Sequence, residues 1–153
     1  MAEFIQSPGT SQNVTFGNNL LLVDSIACPR GYVLHRNGSG IVTLRGITNG
    51  CSRFARYHVA FSGNIAIPTG GTVAAIAMAL ALDGESLQNT RRIVTPAAVE
   101  QYFAIACETD ITVPSGCCYT LAVENVNAGV GDAIVDEQTI SVADGSLNIS
   151  RIA

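Results

Sequence analysis

Short runs of alternating apolar and polar residues, broken by Gly, Pro, Asn and Asp, recur along the whole chain, and no amphipathic helical period persists. The pattern predicts an all-β protein. Two hairpins are expected in the first third: Asn13 to Phe16 with Leu20 to Asp24 around Gly17-Asn18-Asn19, and Tyr32 to Arg36 with Ile41 to Arg45 around Asn37-Gly38-Ser39-Gly40. Gly46 to Ser52 reads as a loop. Longer strands are expected after it: Arg53 to Ile67, Thr72 to Leu82, Val99 to Cys107, Asp110 to Val113, Cys117 to Asn125, Gln138 to Val142 and Ser146 to Ile152. Thr95-Pro96 carries helix-start chemistry, since Thr caps and Pro suits the first position, but Tyr102 to Cys107 beyond it reads as strand.

The run GGTVAAIAMALALDGE, Gly70 to Glu85, needs separate treatment. As a helix, Thr72 to Leu82 would extend only about 16 Å, against about 30 Å of bilayer core, so it cannot span a membrane. It has no polar face, follows Pro68, Gly70 and Gly71, and stops at Asp83-Gly84, a strong hairpin signal. These features favour a strand over a buried helix. At period two, Val73, Ala75, Ala77, Ala79 and Ala81 share one face, and Ala74, Ile76, Met78, Leu80 and Leu82 share the other. The bulky face suits a sandwich core, and the alanine face admits close approach by another sheet or subunit.

Seven or more strands joined by tight turns within about 100 residues fit a jelly-roll β-sandwich better than an open sheet. The expected organisation is a small N-terminal β-hairpin module over residues 1–46, followed by a sandwich head over 53–153 that closes on the regular strand Ser146-Leu-Asn-Ile-Ser-Arg-Ile152.

Composition narrows the functional classes. Only 13% of residues are charged while 48% are apolar, and all eight basic residues are Arg. So sparse a charge complement favours covering part of the surface in an oligomer. A net charge of −4 gives no phosphate-binding footprint and no polybasic membrane-surface segment. The first residues lack the basic start and apolar run of a secretory signal, which predicts cytoplasmic production and assembly. Cys28, Cys51, Cys107, Cys117 and Cys118 are odd in number and lack CxxC spacing, so free thiols are expected rather than a zinc site or a disulfide framework.

The succession Tyr57 to Gly63 (YHVAFSG), Leu80 to Glu85 (LALDGE), Cys118 to Asn125 (CYTLAVEN) and Ser146 to Ile152 resembles the tumour-necrosis-factor-like jelly roll. That family includes complement and collagen-like heads, bacterial spore-surface proteins and phage virion proteins. The resemblance covers roughly residues 53–153 and implies a homotrimer. It makes Tyr57, Phe61, Tyr119 and Leu121 interface candidates, with the sandwich core as the competing location for each. The chain departs from the family in having no collagen-like Gly-x-y stalk and a β-like first 45 residues. It thus implies a non-enzymatic phage capsid decoration or head-fibre protein, assembled in the bacterial cytoplasm onto a virion. The N-terminal module would bind the capsid protein, and the outer loops could meet a host-surface ligand. The alternative is a bacterial surface or spore-coat head that binds glycan or host protein.

No catalytic residue, cofactor or metal is assigned. His35 and His58 are the only histidines, and a grouping such as Cys51, His58 and Asp83 has no local support. Asp132, Asp136 and Glu137 follow a Gly-rich stretch without the regular spacing of a calcium loop. Arg53 with Arg56, and Arg91 with Arg92, are placed to meet carboxylates such as Glu100 or Asp110 of a partner.

Overall fold

From Phe54 onward, residues 55, 57, 59, 61 and 65 are apolar and buried, while the residues between them are small, polar or charged. This strict alternation builds the longest strand of the protein. The computed structural model describes residues 3–7, 11–25, 31–129 and 138–153. Its strands in chain order are β1 (Glu3–Ser7), β2 (Gln12–Val14), β3 (Asp24–Ser25), β4 (Val33–His35), β5 (Val42–Arg45), β6 (Phe54–Ala66), β7 (Ile76–Leu82), β8 (Glu85–Ser86), β9 (Arg92–Val94), β10 (Phe103–Pro114), β11 (Cys118–Val126) and β12 (Ile140–Arg151). The helical turn near Thr95 does not form, and among the described residues a 3-10 turn sits instead at Gln88–Thr90.

Two six-stranded antiparallel sheets face each other in a jelly-roll sandwich. The first has the order β10-β6-β12-β1-β3, with β2 also paired to β12; the second has the order β4-β5-β11-β7-β8, with β9 also paired to β7. Two pairs of expected strands fuse. Residues 99–107 and 110–113 lie largely in the single strand β10, and 138–142 and 146–152 in β12, whose register shifts between Ala143 and Ser146. Asp144 there has φ +54, a left-handed conformation that lets an irregularity interrupt the ladder without ending it. The β7–β8 hairpin turns on Asp83 (φ +51) and Gly84 (φ +86), the paired positive angles that Asp-Gly favours.

The core lies between the sheets. Val42 and Leu44 of β5, Ile76, Met78 and Leu80 of β7, and Leu121 and Val123 of β11 meet Tyr57, Val59 and Phe61 of β6 and Leu147 and Ile149 of β12. The bulky face of the Gly70 to Glu85 run therefore points inward as expected, although the ordered strand begins at Ile76 rather than Thr72. The alanine face is also covered within the chain: Ala77, Ala79 and Ala81 are no more than 2% exposed. Arg91 ties the segment after β11 to the one before β9 by donating to the carbonyl oxygens of Asn127 (3.0 Å) and Gly129 (2.9 Å).

The first 46 residues do not stand apart as a module. β1 pairs with β12 from Glu3↔Ser150 to Gln6↔Leu147, β2 pairs with β12, and β5 pairs with β11 from Arg45↔Cys118 to Val42↔Leu121. The β4–β5 hairpin forms as expected, but β2 does not pair with the Leu20 to Asp24 segment. Leu20 and Leu22 instead enter the core, and the backbone N–H of Leu20 bonds to Val123 of β11. Short apolar strands cannot remain stable alone in water, and here they complete both sheets. Cys28, Asp132, Asp136 and Glu137 lie outside the described residues.

Candidate functional site

The pleat decides which side chains can meet a partner. Tyr57 and Phe61 on β6 and Leu121 on β11 point between the sheets and are 0%, 1% and 0% exposed; Tyr119 is half-buried against the same core. Of the interface candidates, Tyr57, Phe61 and Leu121 therefore take the competing location, the sandwich core, while Tyr119 keeps part of its surface exposed. Tyr57 also anchors the core by hydrogen bonding. Its hydroxyl lies 2.5 Å from the Arg45 carbonyl oxygen and 3.0 Å from that of Tyr32, and the Arg151 guanidinium stacks 4.5 Å from the Tyr32 ring centroid and 5.7 Å from that of Tyr57.

The intervening residues form the outer face of the first sheet. β6 contributes Arg56, His58, Ala60, Ser62 and Asn64; β10 contributes Ala104, Ala106, Glu108, Asp110 and Thr112; β12 contributes Ser146, Asn148 and Ser150. The register sets Ala106 and Ser146 on either side of Ser62, and Glu108 and Asn148 on either side of Ala60. Small side chains at the middle of three adjacent strands leave a shallow cleft of about 500 Å³, with Arg92 at its rim. Arg92 holds that rim by donating from Nε to the Ala106 carbonyl oxygen at 2.9 Å, and from Nη1 to those of Asn89 and Arg91.

One end of the cleft carries charge. His58 Nδ1 lies 2.8 Å from Asp110 Oδ1 and its Nε2 lies 3.2 Å from Glu108 Oε2. The hydrogen bond with Asp110 is the main cause that raises the His58 pKa above 6.5, with the negative charges of Asp110 and Glu108 adding to it and partial desolvation opposing it. Across this face, Phe54 and Ile152 expose apolar surface near one end and Tyr102 near the other. The Tyr102 hydroxyl shares a 2.9 Å hydrogen bond with the buried Ser141.

The other residues singled out in the sequence are engaged locally. Asp83 accepts from the N–H and hydroxyl of Thr120 on the second sheet, whereas His58 engages Glu108 and Asp110 on the first, so the two do not act together. Glu100 accepts from the backbone N–H and hydroxyl of Thr69, and His35 Nε2 lies 2.9 Å from the Ser39 carbonyl oxygen. Among the described residues, no group of three or more His, Cys, Asp and Glu is placed to hold a metal ion. No helix of the described residues is long and apolar enough to cross a membrane. The outer-face residues were legible as the small half of the alternation in YHVAFSG and SLNIS, a signal that aromatic side chains overshadow.

No family model matches the chain, and no curated protein matches it. Solved structures do resemble it. The globular domain of the zebrafish complement 1qA protein superposes with a TM-score of 0.59 at 10% identity, covering 100% of this chain and 98% of that one. The Eiger TNF of S. frugiperda superposes with a TM-score of 0.62 at 11% identity, covering 99% of this chain and 91% of that one. The chain has the jelly-roll fold of complement C1q and TNF-like domains, and the likeness takes in its first 46 residues.

Proposed function

We propose that the protein is a non-enzymatic binding and assembly domain that works as a homotrimer, its subunits packed through the outer face of the first sheet. The observation that carries this reading is the low relief of that face, where Ala60, Ser62, Ala106 and Ser146 adjoin on three strands. Small side chains let sheets approach closely, and the apolar residues toward both ends offer the surface that an interface buries. The scarcity of charge in the whole chain supports assembly, as does the TNF-like resemblance. The setting we propose is a phage virion, the trimer decorating a capsid surface after assembly in the bacterial cytoplasm. Attachment to the capsid protein then uses a face or pole of the sandwich, because β1 to β5 are built into its sheets. A host-surface ligand would meet the loops that remain outward.

Light scattering on the purified chain tests the assembly. The expected mass is three chains for the native protein and one chain for Ser62→Arg, with the variant still folded by circular dichroism. A native monomer, or a variant that stays trimeric, would overturn the proposed face. Mass spectrometry of purified particles from the source of the sequence tests the setting: copies in fixed ratio to the capsid protein support it, and their absence counts against it.

A further inference from the structure

Free cysteine is among the most buried residue types, yet Cys51, Cys117 and Cys118 are all exposed, and only Cys107 of the described cysteines is buried. The topology collects the three at one pole. The loop from β5 to β6 carries Cys51, and the turn from β10 to β11 carries Cys117. The strands on both sides are neighbours, β5 beside β11 and β6 beside β10, so the two connections cross between the sheets side by side.

Hydrogen bonds lock these connections together. The Gly46 N–H donates to the Cys117 carbonyl oxygen at 2.8 Å, and the Gly116 N–H donates to that of Gly46 at 3.0 Å. The Ser115 N–H donates to the Arg53 carbonyl oxygen at 2.8 Å, and the Thr48 and Ser115 hydroxyls are 2.8 Å apart. The approach is so close that a Cβ on Gly46 would fall 2.0 Å from the Pro114 carbonyl oxygen. Thr48 and Arg53, the two legs of the Cys51 loop, both engage Ser115, two residues before Cys117. Cys51 itself rides on the Asn49–Ser52 turn, closed by a 3.3 Å hydrogen bond and hinged on Gly50 at φ +62. Cys118 differs: it lies within β11 opposite Arg45, whereas Cys117 precedes the strand, its Sγ 3.7 Å from the Cys118 carbonyl oxygen.

We propose that Cys51 and Cys117 are a redox-active dithiol that closes into a disulfide across the pole. The oxidant is a small disulfide of the glutathione class. One cysteine thiolate attacks it, forming a mixed disulfide and expelling one small-molecule thiolate. The second cysteine then attacks the protein-side sulfur, closing Cys51–Cys117 and expelling the other. Two electrons pass from the dithiol to the small disulfide, and the two protein thiol protons end on the two released thiols. The closed bond would staple together two connections that are 66 residues apart in sequence and constrain the unfolded chain.

Oxidised glutathione, added to the full-length chain and followed by quenching, tests this. Thiol titration under denaturing conditions should fall from the five thiols of the sequence to three. Non-reducing peptide mapping should join the Cys51 peptide to the one containing Cys117. The melting temperature should rise and then return on reduction. Cys118→Ser should behave like the native chain, whereas Cys51→Ser and Cys117→Ser should each stop at a retained glutathione adduct. A count that stays at five, a closed disulfide that survives Cys117→Ser, a disulfide-linked dimer, or glutathione held independently on all three cysteines of the native chain would each overturn the assignment.

Discussion

Replacing Tyr57 with phenylalanine removes one oxygen atom from the edge of the core and separates a core role from a contact role. The ring stays, so its packing and the stacking of Arg151 are retained. What is lost is one hydroxyl whose single proton is shared between the carbonyl oxygens of Arg45 and Tyr32. The Tyr32 carbonyl keeps the N–H of Arg45 at 2.9 Å, so the principal loss falls on the Arg45 carbonyl, the closer of the two. A hydrogen bond contributes about 0.5–1.5 kcal/mol net, and a buried partner left unsatisfied costs about 1–3 kcal/mol. A loss of about 1–2 kcal/mol is therefore expected. For a chain of this length each kcal/mol lowers the melting temperature by about 2–4 °C, which predicts a drop of about 2–8 °C. Urea unfolding followed by circular dichroism, at matched protein concentration, should show a lower midpoint with an unchanged slope. The solution mass should equal that of the native protein. Unchanged stability together with a lower mass would refute the reasoning, because it would mean that the hydroxyl serves a contact between subunits and not the interior.

Two further predictions concern the termini and the charged end of the outer face. A chain beginning at Ser52 should fail to fold, seen as lost circular dichroism and rapid proteolysis. It would lack Val14, Leu20, Leu22, Val33, Val42 and Leu44, each buried in the native core and worth about 1.5–3 kcal/mol, together comparable with the whole stability of a domain; a cooperative melt from this fragment would contradict the topology. The His58 pKa is raised on folding, so its contribution to stability should be complete below pH 6.5 and disappear as pH climbs through the folded value. An NMR titration of the imidazole should give a midpoint above 6.5 that moves down in Asp110→Asn, and His58→Gln should flatten the dependence of stability on pH across that window. A midpoint unmoved by Asp110→Asn would remove the carboxylate as its cause.

Much of the fold was legible because its signals are local. Asp83-Gly84 marked a hairpin by backbone chemistry alone, and the alternation through β6, β11 and β12 marked strands. The period-two pattern divides a strand into two faces, but it names the inner one only when one face is clearly polar. In YHVAFSG neither face is strongly charged, so Tyr57 and Phe61 suited a contact as well as a core, and the small residues that line the cleft drew no notice. Pairing partners were less legible still. Nothing near Glu3–Ser7 announces that it lies beside residues more than 140 positions later, because the hydrogen bonds of a ladder carry little sequence information. The pole shared by Cys51 and Cys117 was hidden for the same reason: two connections become neighbours only once four strands have paired.

The position of β12 has a consequence for biosynthesis. It lies between β6 and β1, so a ribosome must deliver residues 140–151 before either strand acquires its final neighbour. Until then the nascent chain presents two unpaired edges, along with the apolar side chains that Leu147 and Ile149 will cover. The sandwich must therefore close late, after most of its sequence has left the exit tunnel, and synthesis has a window in which these edges could pair with another chain. Expression yield should respond to temperature and to holdase chaperones more strongly than the stability of the finished fold would suggest.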